Sequence, residues 1–374
     1  MKQLSNLAMT DVASKKPTGR VFLAVLMALI VLCAGVALRN YAFVRAGMLR
    51  PDFDLIHQAY NFNLTLLPII LLIISAVFLG LALLAGLWRK TFFWVAIFYS
   101  LIALNLFLLR IYVTDIEPKR LDVHQIRLET PKLSEAVRLV HISDIQAGSI
   151  GDYEISIFEK IAELEPDLII YTGDFLQAVP PATFDGEFPK LLELFRSVTP
   201  RYGIFAVFGD TERELYSFKP DALEPVQMLS SRSKEFAAGG GQLSVMGLSL
   251  YQSKNPEWST RSVGDWLGRT EEATFRILMG HAPDYALGIE ELAIDLCLAG
   301  HTHGGQVRLP FLGPLVIDSK VPKDWSRGFR RIGIPYLNVS AGAGSNRFQG
   351  LPPIRFNCPT EMTVIDLVPI RGMR

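Results

Sequence analysis

The sequence predicts a layered α/β domain, with sheets packed between helices, preceded by about three membrane-spanning helices. Three observations lead there. Residues 1–109 are far more apolar than the rest of the chain. From Val137 onward, short β-branched runs alternate with stretches of helical spacing. Several of those runs end in a carboxylate or an imidazole beside a small or turn residue.

Residues 1–20 form a polar tail carrying Lys2, Lys15, Lys16 and Arg20. Residues 21–109 form the membrane region, with uncharged apolar runs at about 21–38, 64–87 and 91–109. A helix needs about 20 apolar residues to cross the hydrocarbon core, and a core helix is rarely apolar all round for so long. These runs place the protein in a cell membrane as a multi-pass chain, with the lipid bilayer as a partner. Positive residues are balanced between the two sides of the spans, so they assign no face to the large domain. An odd number of spans puts that domain and the N-terminus on opposite faces. Nothing marks a transport path, since the spans carry no charge.

Residues 110–136 are charged, contain Pro118 and Pro131, and read as a linker or lead-in strand before a domain over 137–374. Within that domain, strands are expected at Val137–Ile142, Asp167–Tyr171, Gly203–Phe208, Gln242–Leu250, Arg276–Met279, Leu296–Ala299, Gly305–Leu309, Tyr336–Ser340 and Met362–Leu367. Helices are expected at Tyr153–Leu164 and Phe188–Val198. The Gly239-Gly240-Gly241 run is a turn, because no Lys-Ser/Thr and helix follow it as in a phosphate loop. The cysteines Cys33, Cys297 and Cys358 show neither zinc nor redox spacing and read as buried hydrophobes. Lys+Arg and Asp+Glu both number 37, so no basic excess argues for nucleic acid as a partner. His57 and His124 read as solvent-facing, and His141 as a packed strand histidine.

The polar residues at strand ends carry the chemistry. Ser143-Asp144-Ile145-Gln146 follows the first strand, Thr172-Gly173-Asp174 the second and Gly209-Asp210-Thr211-Glu212 the third. Gly280-His281 and Gly300-His301-Thr302-His303-Gly304-Gly305 follow later ones. Successive strand ends converge on one sheet edge, and carboxylates with imidazoles suit a pair of divalent metals. The order resembles the calcineurin-like metallophosphoesterase superfamily, which reads D-x-H, G-D, G-N-H-D/E, a lone His and G-H-x-H. Key positions 144, 174, 210, 281 and 301 keep that order across essentially the whole of residues 137–367. Ser326-Arg327-Gly328 and Val339-Ser340-Ala341-Gly342 add a likeness to a membrane-associated branch with UDP-2,3-diacylglucosamine pyrophosphatase-like enzymes.

The resemblance implies a four-layer αββα sandwich and two divalent metal ions. It implies a phosphate-ester substrate, cleaved in line by metal-activated water, with lipid-linked phosphodiester or pyrophosphate bonds favoured by the tether. Asp144 and His303 would bind the first metal, Asp174 both, and His281 and His301 the second. Gln146 stands where the family has a first-metal histidine, and Asp210 where it has a second-metal asparagine. Gln146 offers a carbonyl oxygen and Asp210 a hard anionic one, which favours manganese or magnesium over zinc. Thr211 replaces the family histidine that assists the leaving group, and no residue is left as an obvious catalytic acid. General-acid help is typically worth about 10²–10⁴-fold, so the expectation is weakened phosphohydrolase activity directed at acidic leaving groups. The alternative is a catalytically degenerate binding or scaffold module. Arg327 and Arg347 read as packing or surface residues, with contact to substrate phosphate the second reading.

Overall fold

Each long uncharged run forms a helix in the computed structural model, which describes residues 18–49, 53–84, 86–212, 215, 223–347 and 352–370. The expected polar tail therefore lies almost wholly outside the described residues. Three helices are long and apolar enough to cross a membrane: Val25–Leu49, Asp54–Leu84 and Gly86–Lys119. The first belongs to α1 (Thr18–Leu49). The second joins α2 (Asp54–Tyr60) through a π-helical stretch at Asn61–Leu66 to α3 (Leu67–Leu84). The third is built on α4 (Arg89–Ile111).

The second span starts ten residues before the expected position 64, and this corrects the reading of His57. That histidine is buried on α2 rather than solvent-facing. Helices α3 and α4 pack side by side, and Ser75 Oγ donates to the Ala96 carbonyl at 2.8 Å. Such small residues let helix backbones approach closely.

The charged segment after α4 is bound to the domain rather than free. The Arg355 amide donates to the Val113 carbonyl at 2.9 Å, and the Cys358 amide to Glu117 at 2.6 Å. β1 (Leu121–Thr130) then pairs in parallel along its whole length with β14 (Thr360–Pro369). His124 lies on β1, 3.4 Å from Glu361, so it is an ion-pairing strand residue rather than a loop histidine. The acid lies far along the chain, so local sequence gave no hint of the pair.

One six-stranded sheet runs β1-β14-β2-β3-β4-β5, where β2 is Val137–Ile142, β3 Leu168–Tyr171, β4 Ile204–Ala206 and β5 Val226–Met228. The other runs β12-β13-β9-β8-β7-β6. Its strands are β6 (Arg232–Ala238), β7 (Gly241–Gly247), β8 (Phe275–Met279), β9 (Leu296–Ala299), β12 (Gly328–Arg331) and β13 (Tyr336–Val339). A short hairpin of β10 (Arg308–Leu309) and β11 (Gly313–Pro314) stands apart. The expected strand Gly305–Leu309 shrinks to β10, because His303–Gly305 turns as a 3₁₀ helix.

Period-two alternation decides the layers. On β2, Val137 and Leu139 face the inter-sheet core with Leu168, Phe205, Val245, Ile277 and Leu298. Val140 and Ile142 face the opposite way, against α5 (Asp152–Glu163) and α6 (Phe184–Arg196) through Phe158, Leu191 and Phe195. Behind the second sheet, Leu278 and Val339 meet Val263 and Trp266 of α8 (Pro256–Leu267). α8 follows the single-turn α7 (Leu250–Ser253). Helices, sheet, sheet and helix make the four-layer αββα sandwich that the sequence predicts. α6 begins a turn earlier than expected, because Thr183 caps it by accepting the Gly186 N–H.

Arg355 is the largest fully buried side chain and makes no ion pair among the described residues. Its guanidinium donates instead to the carbonyls of Ala341, Gly344 and Cys358 and to Ser345 Oγ. It thereby fixes the loop after β13 against the segment entering β14. Replacing it with Met leaves those carbonyls without donors, at a cost of about 3 kcal/mol. Thermal unfolding of R355M in detergent should show a clear fall in melting temperature, and an unchanged melt would contradict this role.

Candidate metal centre

β2, β3 and β4 lie side by side and parallel, so the loops leaving their C-terminal ends meet at one edge. β8 and β9, also parallel neighbours, deliver the histidine loops from the other sheet. Two groups of side chains form where the loops meet. Asp144, Asp174 and His303 make one, and Asp210, His281 and His301 the other. Within each group the candidate ligand atoms lie within 4.8 Å of one another. Six of the seven positions expected as ligands therefore come together in two sets, each able to hold a metal ion.

The seventh, Gln146, is buried beside them and donates from Nε2 to Asp174 Oδ2. Its Oε1 is buried with no hydrogen-bond partner among the described residues. An electron-pair donor left bare in a dry site is what a cation would satisfy. The residues present therefore fit a pair of divalent ions.

Backbone geometry serves the same end. Asp144, Gln146, Asp174, His301 and His303 all have positive φ, between 38° and 67°. Such left-handed backbone at non-glycine residues costs energy and clusters at functional sites. Gly173 has φ 93°, and a Cβ there would lie 2.6 Å from the Gly209 nitrogen and 2.9 Å from His281 Nδ1. A Cβ at Gly300 would strike Ser143 Oγ and the Asp144 carboxylate. These glycines let the three loops close on one another.

Hydrogen bonds set which atoms face inward. His281 Nδ1 lies 2.8 Å from the Thr172 carbonyl and donates to it, which leaves Nε2 facing the other ligands. That Nε2 lies 3.1 Å from His301 Nδ1 and 3.5 Å from Asp174 Oδ1. Asp174 Oδ1 also accepts the amides of Asp210 at 2.8 Å and Thr211 at 3.1 Å. The Thr211 hydroxyl donates to the same oxygen at 3.2 Å. Glu212 is fully buried and accepts the Gly209 N–H at 2.6 Å and that of Phe175 at 2.5 Å, so it braces the loop from behind. His141 is a packed strand histidine, as expected. It bonds Thr172 at 3.0 Å and Asn338 at 2.8 Å, and burial holds its pKa down at about 3.

Three residues at the site carry no sequence signal. Lys254 Nζ lies 3.1 Å from Asp210 Oδ2, and Asp318 lies 3.5 Å from His301 Nε2. Phe53, at the start of α2, packs edge-on against the His303 ring at 6.2 Å. None of the three belongs to a strand-end motif, so only the fold brings them in. Arg327, by contrast, is singled out in the sequence, and it forms an ion pair with Glu361 at 3.1 Å.

The charges are strongly coupled. Burial raises the Asp144 pKa to about 6, with Asp174 adding to the rise and His281 opposing it. Burial also pushes Asp210 up, but His281, His301 and Lys254 outweigh it and hold that carboxyl below its usual range. Burial lowers His281, yet the carboxylates of Asp174, Asp144, Asp210 and Glu212 carry it up to about 9. Burial and the Arg355 charge hold His303 well below the ordinary imidazole value. Without a metal, the surrounding acids thus keep a proton on His281.

Residues 137–305 match the calcineurin-like phosphoesterase family. A metallophosphoesterase of Bacillus subtilis strain 168, YkuE, is 26% identical over 269 residues, covering 68% of this chain and 88% of its own. The phosphodiesterase YaeI of Escherichia coli K12 is 27% identical over 213 residues, covering 55% of this chain and 72% of its own. Among solved structures, a protein of Thermus thermophilus aligns at 9% identity with a TM-score of 0.38, over 56% of this chain and 90% of its own.

His281 gains its proton on folding, since its folded pKa of about 9 exceeds the ordinary 6.5. The folded chain therefore binds more protons than the unfolded chain between those values. This contribution to stability is complete below pH 6.5 and is lost as pH rises through 9. Thermal unfolding with chelator present should fall between pH 6.5 and 9, and manganese should flatten the slope by displacing the proton. A melting temperature that rises across the window would contradict the assignment.

Proposed function

From a chain that carries a calcineurin-like phosphoesterase domain over residues 137–305, we propose a membrane-anchored, metal-dependent phosphohydrolase that cleaves a phosphodiester or pyrophosphate bond. The observation that carries the reading is the pair of adjacent ligand groups, with Asp174 of one 3.5 Å from His281 of the other. Asp144, Gln146, Asp174 and His303 would hold one divalent ion. Asp210, His281 and His301, with Asp174, would hold the other. Ions held there supply Lewis-acid activation of water and of the phosphoryl oxygens. The oxygens of Gln146 and Asp210 favour manganese or magnesium over zinc.

The protein residues around the ions set what can react. The Thr211 hydroxyl is bonded to Asp174 and is no proton donor near neutral pH. A substrate with an acidic leaving group needs such a donor least, so diphosphate linkages and activated diesters suit the site better than alcohol monoesters. The three apolar helices support a bilayer anchor, with 21–109 as the membrane region and 137–374 as the catalytic domain. Contact between Phe53 and His303 sets the start of the second apolar helix against the first ligand group. That contact supports a lipid-linked substrate, because it sets the first ligand group beside an apolar helix.

Hydrolysis of an aryl phosphodiester and of a nucleotide pyrophosphate, both with manganese, tests the reading. Asp174→Asn should lower both rates by on the order of 10³-fold. Equal rates in the two proteins would remove the enzyme and leave a binding module, the reading that Gln146 and Thr211 favour. Metal analysis of the purified protein should find manganese or magnesium, and stoichiometric zinc would overturn the preference.

A further inference from the structure

A cavity of about 500 Å³ lies between the end of the third apolar helix and the first turn of α5. That volume falls within the range of pockets that hold small ligands. Four charged side chains line it: Lys119, Arg347, Asp152 and Glu154. Lys119 is the last residue of the apolar helix, so the cavity sits at the end of that helix.

Arg347 makes the cavity unusual. Its Nε is buried with no hydrogen-bond partner among the described residues. Burial lowers its pKa, and the charge of Glu154 offsets this only in part. A guanidinium withdrawn from water is ordinarily paired, and its planar fork matches a phosphate. Across the cavity Glu154 accepts the Gly151 N–H at 3.0 Å. Burial raises its pKa, while Arg347 and Lys119 pull the other way. Asp152 stands beside it on the first turn of α5. Two cations and two acids in one pocket suit neither a bare anion nor a bare cation. They suit a ligand with both charges.

The cavity also shares a wall with the metal centre. Ile145, which lines it, lies between Asp144 and Gln146 in the chain. Gly344, on the same wall, donates its N–H to the Asp144 carbonyl at 2.7 Å.

We propose that this cavity binds a phosphate group bearing an amine, phosphoethanolamine being the smallest such headgroup, with the phosphate on Arg347 and Lys119 and the ammonium on Asp152 and Glu154. The ligand can be a free phosphoester or the headgroup of a bilayer lipid. The lipid source rests on the membrane anchor proposed above, while the pocket itself depends on neither the anchor nor the hydrolase reading.

The test uses the full chain in detergent, without added metal, titrated calorimetrically with glycerophosphoethanolamine and with inorganic phosphate. A parallel arm measures by native mass spectrometry which lipid stays bound on release from nanodiscs of phosphatidylethanolamine and phosphatidylglycerol. The amine-bearing phosphate should bind better than inorganic phosphate. Arg347→Gln and Lys119→Gln should each weaken binding by on the order of tenfold, as loss of a charged hydrogen bond implies. Lys119 is exposed, so its variant leaves the fold intact even if Arg347→Gln does not. Asp174→Asn should bind as wild type, which separates this pocket from the metal centre. Soluble binding identifies a free phosphoester as sufficient, and retained phosphatidylethanolamine without soluble binding identifies the lipid. Absence of both, equal affinity for inorganic phosphate, or loss in Asp174→Asn with retention in Lys119→Gln would each overturn the proposal.

Discussion

The carboxylate of Asp174 is the point on which the site depends. It leaves β3 in a left-handed conformation, is buried, and accepts from the two residues that follow Gly209 and from Gln146. Three loops from three neighbouring strands are thus tied to one side chain. Burying a charge is costly unless it is hydrogen-bonded and paired. Here amides satisfy Asp174, while the protonated His281 ring supplies countercharge. The same arrangement places acids close enough together that a histidine must hold a proton in the absence of a metal.

Everything beneath that edge serves to hold it still. The inter-sheet core sets the spacing of the two sheets, and the polar chain Asn338–His141–Thr172–Ser143–Asp144 crosses it. This chain joins β13 of one sheet to the first acid of the other. Arg355 does similar work outside the core, gathering the carbonyls of the loop whose Gly344 supports Asp144. Because the site rests on hydrogen bonds rather than on flexible loops, its geometry exists before any ion or substrate arrives.

The sequence exposed the site far better than its surroundings. Asp144, Asp174, Asp210, His281, His301 and His303 each lie within four residues of a strand end, so alternation and a turn residue were enough to locate them. Parallel pairing then brings strand ends together without further information. Lys254, Asp318 and Phe53 come from elements whose approach is set by tertiary packing, and nothing local marks them. β1 escaped clear definition because its partner β14 lies at the other end of the chain. His57 was misread for a related reason, since its burial depends on neighbours distant in sequence; His124 is exposed as expected, and only its partner Glu361 lay out of local view.

The contact between Phe53 and His303 and the Lys119 cavity set the apolar helices beside the candidate site, so the proposed anchor and the site form one reading. Its central claim is that Asp174 joins two metal positions. Metal content after equilibrium dialysis against manganese tests this most directly. The account predicts about two ions per wild-type chain, with the loss of at least one in Asp174→Asn. A wild-type chain that retains none, or a variant that retains both, would contradict it.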